Sequence, residues 1–567
     1  MPGRMLRGLA LAAVLASTVL ITACSGARQA GVEAAAPPTA AEASRFLAQA
    51  SFGASDSSIS AVRAAGYSQW IDQQMVMPAP PGHLADLDAR LAQLREANAN
   101  ATLNPVDFNF SFWKQAVTGP DQLRQRMKLA LSEIFVVSFT DTNVEERGAA
   151  SYYDTLGRHA FGNFRTLLEE VTLHPMMGVY LTWLGNRKED PATGRQPDEN
   201  YAREVMQLMT IGLHQLNLDG TPKLDAQGRP IPTYTQEDIS GLAKVFTGYS
   251  YYSPRPTSVT FGGRNLPADA RTRAMIAYPE FHSTGQKTFL GATIAASGTP
   301  APEADLKIAL DTLFNHPNVG PFIGRQLIQR LVTSNPSPAY VERVARVFND
   351  NGKGVRGDMS AVVRAILLDP EARDGAAAAA NLNAGKVREP VVRLANWARA
   401  FDATSQSGAW MIISTAGNTS LAQSPLNAPS VFNFFRPGYS PPNTRIGAQG
   451  LVAPEMQIVD EVTVAGYLNT MQTVIGNGTG RAVNGSPDVR STYAAEIALA
   501  GDPAALADRM NLLLLNGAMS PGLRNRLLDS IASVNLPATG DRTTALTNRA
   551  KLAIYMTMAS PEYLVQR

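Results

Sequence analysis

The stretch "NYAREVMQLMTIGLHQL", residues 200–216, decides the fold class. Apolar residues cover most of its circumference as a helix, and a helix that is apolar on most sides is usually buried. Its polar residues recur three or four positions apart, on one narrow stripe that consists of Asn200, Arg203, Gln207, Thr210 and His214. The segment therefore predicts a buried α-helix over 201–213 in a mainly helical protein.

Helical periodicity recurs along most of the chain. Pro120 suits the first position of one helix, and Thr235 with Asp238 resembles a capping box that starts another. Further helices are predicted at 165–173, 236–247, 304–314, 319–331, 338–349, 358–368, 386–402, 455–472, 503–515, 520–533 and 543–557. We expect a mainly α fold: a large multi-helix globular domain.

Residues 216–234 and 249–300 lack the helical periodicity of the segments around them. Gly and Pro punctuate 216–234, which favours hairpins, and 287–294 predicts one or two short strands. We therefore expect a small β-hairpin and loop-rich insertion around residues 216–300. Residues 403–453 and 476–492 are predicted to be loops.

Two His-Pro pairs, at His174 and His316, follow helical runs and precede new ones. Proline disfavours helix in the residue before it and suits the first turn of the next helix. Both pairs are predicted to be helix–helix corners rather than parts of a reactive site.

The N-terminal residues have the pattern of a targeting signal. Arg4 and Arg7 precede an apolar run at 9–23, which ends in the sequence Leu-Ile-Thr-Ala before Cys24, the single cysteine of the chain. This pattern resembles the bacterial lipobox, which implies cleavage before Cys24 and lipidation of Cys24. The alternative is an ordinary secretory signal with a coincidental cysteine. We expect a lipoprotein signal peptide at 1–23, a flexible tether at 24–41 and one helical domain at 42–567.

Composition and motifs exclude several functional classes. The formal net charge is only +2, so nothing points to nucleic acid. The chain has no Gly-x-Ser-x-Gly, His-Glu-x-x-His, Walker or dinucleotide-binding motif. None of its six histidines pairs with another at a spacing of four, and no metal site is predicted. The sequence assigns no cofactor.

Three segments contain candidate site residues. Arg203 and Glu204 are adjacent, so their side chains point about 100° apart and each requires its own partner. They lock helices together in a buried ionic network, line a cleft with Asn200 and His214, or lie exposed to solvent. In "FHSTGQKTFLG" (281–291), His282 and Lys287 either take part in chemistry or hold a loop.

The third segment, "SPLNAPSVFNFFRPGYSPP" (424–442), places Asn433 and Arg436 among aromatic residues. Such a set stacks on sugar rings or bases, or else forms an aromatic lid over the helical core. Arg436 would hold an anionic or hydroxyl-rich group.

Several stretches together resemble one bacterial family of exported proteins, the domain of unknown function 1800. The resemblance is carried by "RFLAQASFG" (45–53), "PDQLRQRMKLALSEIFVVS" (120–138), "YYDTLGRHAFGNFRTLLEEVTLHPMMGVYL" (152–181), "NYAREVMQLMTIG" (200–212), "YTQEDISGLAKVFTGY" (234–249), "HSTGQKTFLG" (282–291), "HPNVGPFIGRQLIQRLV" (316–332) and "SPEYLVQ" (560–566). It implies one continuous domain and an exported partner protein related to alkaline phosphatases and sulfatases. Gln207, Met209 and Ser283 depart from the family pattern, which argues against a two-carboxylate or metal site.

Two functions remain open. The first is an exported, lipid-anchored envelope protein without catalysis. It presents a binding or assembly platform to polysaccharide or a partner protein, in accord with the lack of catalytic signatures.

 The outer membrane, facing the periplasm or the cell surface, is the expected location, because Ser25 follows Cys24. The second is an envelope hydrolase or lyase in which Glu204 is the general acid or base, His282 assists, and Arg203 and Arg436 hold the substrate. A redox or haem protein is a third class, but the chain lacks a Cys-x-x-Cys-His motif.

Overall fold

The computed structural model describes residues 36–567, of which Pro38–Arg567 form one compact unit. The predicted signal peptide and Cys24 lie outside the described residues. Thr39 begins the first helix with a capping box: its hydroxyl accepts from the Glu42 backbone N–H, and the Glu42 carboxylate accepts from the Thr39 N–H. The first helix therefore starts at Ala40, two residues before the predicted start of the helical domain at residue 42.

Eight helices form the first part of the unit. They are α1 Ala40–Ala50, α2 Asp56–Val76, α3 His83–Ala97, α4 Pro105–Thr118, α5 Gln122–Ser132, α6 Glu146–Arg158, α7 Phe164–Thr172 and α8 Pro175–Tyr180. The apolar side chains of α5 face the core, and Leu123, Met127 and Leu131 are fully shielded from solvent. The helix begins at Gln122 rather than at Pro120, because Asp121 has the non-helical conformation of an N-cap residue.

The quoted stretch does not form one α-helix. Helix α9, Asn200–Glu204, continues as a π-helix over Val205–Thr210. The Thr210 hydroxyl donates to the Val205 carbonyl oxygen at 2.5 Å, and Gly212, with a φ of 71°, ends the helix in a conformation that favours glycine. The π segment widens the turn, so the predicted polar stripe loses its α-helical alignment after Glu204.

The predicted β-containing insertion is confirmed. Strand β1 Tyr249–Ser250 pairs with β2 Ile276–Ala277, and β3 Lys287–Phe289 pairs with β4 Ala292–Ile294, both antiparallel. Isolated antiparallel bridges join 214 to 232, 216 to 222 and 224 to 230, as hairpins would. Helix α10 Gln236–Val245 has the predicted Thr235–Asp238 capping box. The short helix α11 Ser258–Phe261 and a 3₁₀ turn at Pro279–Phe281 complete this region.

The remaining helices build the rest of the core. They are α12 Pro302–Asn315, α13 Val319–Leu331, α14 Pro338–Asn349, α15 Met359–Leu368, α16 Pro370–Arg373, α17 Gly375–Ala380, α18 Pro390–Ala400, α19 Arg445–Ala448, α20 Glu461–Asn477, α21 Ala494–Leu499, α22 Pro503–Leu515, α23 Pro521–Ser533, α24 Thr543–Met558 and α25 Pro561–Leu564. A mainly α fold is therefore confirmed. Within residues 36–567, no helix has the length and apolar character needed to cross a membrane.

Two predicted helix starts in this part are wrong. Residues 386–387 are strand β5, Lys386–Val387, and helix α18 starts only at Pro390, whose ring suits the first helical turn. The helix predicted at 455–472 starts at Glu461, after a 3₁₀ turn at Pro454–Ile458.

The predicted loop 476–492 contains a hairpin. Strand β6 Thr404–Ser405 pairs with β8 Ser486–Arg490, which also pairs with β7 Thr479–Val483. Asn484 and Gly485, with positive φ values of 50° and 79°, make the tight turn between β7 and β8. Strand β9, Val565–Gln566, pairs with β5 and fixes the C-terminal residues against the middle of the chain.

Candidate functional site

Arg203 and Glu204 have separate surroundings, as their adjacency predicts. The Arg203 guanidinium is 40% exposed and lies 3.4 Å from a carboxylate oxygen of Glu199. Glu204 is only 7% exposed, and its Oε2 is buried without a hydrogen-bond partner among the described residues. Burial raises the pKa of Glu204, while the charge of Arg203 acts in the opposite direction. The catalytic role of Glu204 stays a prediction.

His282 and Lys287 are buried, and both side chains contact the carboxylate of Asp305. His282 Nε2 lies 3.0 Å from Asp305 Oδ2, and its Nδ1 lies 2.7 Å from the Thr247 carbonyl oxygen. Lys287 Nζ contacts the same Asp305 oxygen at 2.8 Å and donates to the Ser283 carbonyl oxygen at 2.7 Å. Both ring nitrogens of His282 are therefore occupied, and these contacts hold the β3 segment against α12, as in the loop-holding alternative.

The other predicted site residues lie in different surroundings. Asn200 donates through Nδ2 to the Thr182 hydroxyl at 3.3 Å, whereas His214 is exposed on the hairpin. Asn433 is buried with a φ of 65°, and the exposed Arg436 covers the Phe432 ring at 4.3 Å. Across residues 36–567, no hydrogen bond or ion pair joins Arg203 or Glu204 to any other predicted site residue. The predicted residues therefore do not form one contact network.

Three acidic and three basic side chains, which we call the charged cluster, meet in the core. They are Glu133, Glu389, Glu455, Arg126, Arg330 and Lys386, each at most 5% exposed. Glu389 lies 3.7 Å from Arg126 and 3.5 Å from Lys386, and Lys386 lies 3.1 Å from Glu455. Arg330 Nε lies 3.3 Å from Glu133 Oε2. The cluster joins α5, α13, β5 and the turn before α20.

The carboxyl groups of this cluster differ in protonation. Burial, and then the neighbouring charge of Glu389, raises the pKa of Glu133 well above its usual value. Burial opposes ionisation of Glu389 too, but the nearby Lys386 and a hydrogen bond from Glu133 hold its pKa at about 2. These opposite shifts favour the protonated form of Glu133 beside the ionised Glu389.

A small cavity of about 10 Å³ lies beside Glu133, between Gln423, Ser424 and Asn433. This volume is about what one water molecule requires. The Ser424 hydroxyl and the Asn433 side-chain nitrogen are both buried without a partner in the described structure. The cavity can therefore hold a bridging water, but it is too small for a polymer. Asn433, which was predicted to bind substrate, contributes here to the surroundings of the charged cluster.

A larger cleft of about 390 Å³ opens on the surface between α2, the turn before α5 and the end of α18. Its size lies in the range typical of small-molecule sites, roughly 300–1,000 Å³. Trp70, Arg399 and Asp402 line it, together with Ser55, Ser57, Ser58 and Thr118. We call it the Trp70 cleft.

Polar groups in the Trp70 cleft are free for a ligand. Arg399 donates through Nε to Gly53 O at 3.0 Å and through Nη1 to Val117 O at 2.8 Å, which leaves Nη2 unused within residues 36–567. Burial lowers the pKa of Arg399 to about 10, while the charge of Asp402 opposes this effect. Asp402 is exposed in a left-handed conformation, with a φ of 46°, and its carboxylate makes no hydrogen bond to the described chain. With a pKa of about 10, Arg399 remains charged at neutral pH.

Close backbone approach at Gly53 shapes this cleft. Gly53 has a φ of 117°, and a Cβ at this position would lie 2.1 Å from the Asn396 side-chain nitrogen. Only glycine allows the chain after α1 to run this close to α18. Gly53 belongs to one of the family motifs, but the sequence does not predict the cleft. Trp70, Arg399 and Asp402 come together only through tertiary packing.

Both His-Pro pairs lie at turns between consecutive helices. His174 Nδ1 accepts from the Met176 N–H at 3.2 Å and caps α8, whereas His316 Nδ1 accepts from the Asn318 N–H at 3.1 Å in the turn before α13. The two predicted corners are thus confirmed, although only His174 caps the helix that follows. In the part of the chain that the structure describes, no group of three or more His, Cys, Asp or Glu side chains is arranged to hold a metal ion.

The fold and the cleft define a mainly α-helical protein with a polar surface cleft of ligand size. The chain belongs to the family described as "Protein of unknown function (DUF1800)", whose model matches residues 45–565. The resemblance found in the sequence motifs is therefore confirmed. No curated protein and no solved structure matches the chain.

Proposed function

We propose that this protein is an exported, lipid-anchored envelope protein that binds a polysaccharide in the Trp70 cleft. The observation that carries the proposal is the set of free polar groups beside an aromatic side chain: the Arg399 Nη2, the Asp402 carboxylate and the indole of Trp70. The lipobox-like sequence before Cys24 supports export and anchoring.

The chemistry of the Trp70 cleft suits a hydroxyl-rich ligand. A carboxylate accepts hydrogen bonds from sugar hydroxyl groups, and a guanidinium donates to their oxygens. Trp70 is 5% exposed, so it offers an edge of its indole rather than a full stacking face. The serine hydroxyls at the N-terminus of α2 extend the polar wall. This combination of an apolar edge and a few placed polar groups is typical of binding sites.

The second part of the proposal is a partner protein. The family resemblance implies a partner of the alkaline-phosphatase or sulfatase type. The helical unit would hold the polysaccharide, and the partner would carry out chemistry on it. The dispersed positions of Arg203, His282 and Arg436 support this division, because they form no common contact network.

The test is a binding measurement on the full-length mature protein in detergent. The probes are neutral oligosaccharides, uronate-containing oligosaccharides and soluble peptidoglycan fragments, titrated by calorimetry. Trp70→Phe and Asp402→Asn are expected to weaken binding by about tenfold or more, which corresponds to about 1.4 kcal/mol. The matched control, Asp529→Asn, removes an exposed carboxylate on α23 and should leave binding unchanged.

Two results would contradict the proposal. One is a failure of every probe to bind the wild-type protein. The other is binding that Trp70→Phe, Asp402→Asn and Asp529→Asn leave equally strong, which would place the ligand elsewhere.

Glu204 favours a second function, an envelope hydrolase or lyase on a polymer. Its buried, unpartnered Oε2 and its raised pKa are properties of a general acid. Release of new reducing ends from the same oligosaccharides by the wild-type protein, lost in a folded Glu204→Gln variant, would support this alternative. Binding without such release supports the platform.

A further inference from the structure

Lys128 on α5 differs from the other deeply buried lysines in its partners. Lys128, Lys287 and Lys386 are each at most 3% exposed. Lys287 pairs with Asp305 at 2.8 Å, and Lys386 pairs with Glu455 at 3.1 Å. Within residues 36–567, Lys128 has no carboxylate at ion-pair distance.

Neutral groups contact the Lys128 amine instead. Its Nζ lies 2.7 Å from His83 Nε2 and 3.1 Å from Gln115 Oε1. Amide oxygens and imidazole nitrogens accept hydrogen bonds without supplying the negative charge that holds a buried ammonium ion. The surroundings of Lys128 therefore favour the neutral amine far more than those of Lys287 or Lys386.

A hydrogen-bonded chain fixes the tautomer of His83. Ser111 Oγ donates to Asp86 Oδ2 at 2.7 Å, so its oxygen must accept from His83 Nδ1, which lies 2.8 Å away. With the proton on Nδ1, His83 Nε2 is unprotonated and accepts from Lys128. The chain thus leads from the Lys128 amine to the partly exposed Asp86 carboxylate. It provides a route by which a proton can leave the amine.

Burial and the neighbouring charges have opposing effects on the pKa of the Lys128 amine. Burial lowers the pKa of Lys128 to about 8, against the opposing charges of Asp154 and Asp121. Burial and the charge of Lys128 hold the pKa of His83 well below its usual value, so His83 is neutral near pH 7. The titratable or charged groups that face Lys128 come from four elements and are His83, Asp86, Lys114, Asp121, Arg124, Tyr153 and Asp154.

Lys128 also forms part of the wall of a solvent-connected cavity of about 230 Å³. Gln115, Asp121, Asp154 and Arg158 line the same cavity. These polar side chains can bind hydroxyl groups through both donors and acceptors. The cavity has room for a compact molecule of a few carbon atoms, but not for a polymer.

We propose that Lys128 is a catalytic amine that forms an imine with a small hydroxylated aldehyde or ketone bound in this cavity. The proposal goes beyond the polysaccharide-binding function and does not depend on the Trp70 cleft. A positioned neutral amine next to a base is the arrangement that carbonyl-directed lysines use.

The reaction balances without an oxidant or a reductant. The Nζ lone pair attacks the carbonyl carbon, and the C=O π bond opens to give a carbinolamine. One Nζ proton passes through His83 Nε2 to the alkoxide oxygen and gives the neutral carbinolamine. The second Nζ proton follows the same route as the C–O bond breaks, so the oxygen leaves as water and the C=N bond forms. One amine and one carbonyl compound therefore give one imine and one water.

The test is reductive trapping on the full-length mature protein in detergent. Glycolaldehyde and cyanoborohydride are added near neutral pH, and each lysine is followed by peptide mass spectrometry over time. Because the pKa of Lys128 is about 8, we expect Lys128 to gain the hydroxyethyl group roughly tenfold faster than Lys287 and Lys386. The comparison is internal to the wild-type protein, so it does not require any variant to fold.

Variants then separate the amine from its positioning residues. Lys128→Met should abolish the modification at this peptide. Ser111→Ala should slow it severalfold and shift its pH profile, because His83 then loses the acceptor that fixes its tautomer. Modification of Lys128 no faster than that of Lys386 would overturn the proposal, as would an unchanged rate and pH profile in a folded Ser111→Ala variant.

Discussion

Glu133 and Glu389 are two glutamates of the same buried charged cluster, but their pKa values are shifted in opposite directions. Glu389 is ionised between Arg126 and Lys386, whereas the Glu133 carboxyl, next to that charge, keeps its proton. Arg330, 3.3 Å away, acts to lower the pKa of Glu133, but burial and the charge of Glu389 outweigh it. The protonation of each residue therefore follows from its neighbours rather than from its type.

This difference predicts unequal effects for two chemically identical substitutions. Glu133→Gln replaces a protonated carboxyl by an amide of the same shape and should change the free energy of unfolding by less than about 1 kcal/mol. Glu389→Gln leaves buried cations unmatched and should cost about 3 kcal/mol or more, although ionisation of Glu133 offsets part of the loss. Urea denaturation near pH 7 measures both, with the exposed Glu96→Gln as control.

The pH dependence of unfolding separates the same two groups. The raised pKa of Glu133 gives a contribution that is complete below its ordinary value of 4.5 and is lost as pH rises through its folded value. The lowered pKa of Glu389 gives a contribution that is complete above 4.5 and is lost as pH falls towards about 2. Glu133→Gln should therefore flatten only the upper part of the profile. Equal profiles for both variants would contradict the assignment.

At the scale of secondary-structure elements, the two His-Pro corners use the same ring atom at different places. His174 is the N-cap residue of α8 and accepts the Met176 N–H through Nδ1, whereas His316 accepts the Asn318 N–H in the turn before α13. Burial, together with the charge of Arg158, lowers the pKa of His174 to about 3, so its ring stays an acceptor at neutral pH. The repeated His-Pro pattern therefore stabilises the turn between two helices.

A turn-stabilising role makes His316 replaceable by asparagine but not by alanine. His316→Asn keeps an acceptor for the Asn318 N–H and should retain nearly all of the stability, whereas His316→Ala should cost about 1 kcal/mol. Denaturant titration gives both values, and His214→Ala, at an exposed hairpin position, is the control. Equal losses for the Asn and Ala variants would show that the ring contributes packing rather than this hydrogen bond.

At the scale of the whole molecule, membrane attachment is expected to depend on Cys24 alone. The described residues contain no helix able to cross a membrane, and lipid chains on one cysteine would supply the anchor. Wild-type protein should partition into the detergent phase of a Triton X-114 extraction, and Cys24→Ala should move to the aqueous phase. Both should unfold at the same temperature, because Cys24 precedes the compact unit. A cleaved, unlipidated Cys24 in the wild type would instead indicate an ordinary secretory signal.

The limits of helices were predicted best where local sequence patterns are what determines them. The helices at 319–331, 338–349 and 503–515 match their predicted limits, because periodic apolar residues and proline or serine starts act over a few residues. The π segment at Val205–Thr210 was missed, since its hydrogen bonds depend on packing around Thr210 and Gly212. The hairpin at 479–490 was missed although Asn484-Gly485 is a recognisable turn signal.

The sequence by itself determined the mainly helical class, the family, the histidine corners and the hairpin insertion, because each depends on spacing within a short stretch. Tertiary structure alone decided which polar side chains meet. Lys128 contacts His83, which lies 45 positions away in the sequence, and Arg126 contacts Glu389, which lies 263 positions away. Trp70 and Asp402 line the same cleft. The free energy of burying a charge depends on the partners that packing supplies, and those partners lie far away along the chain.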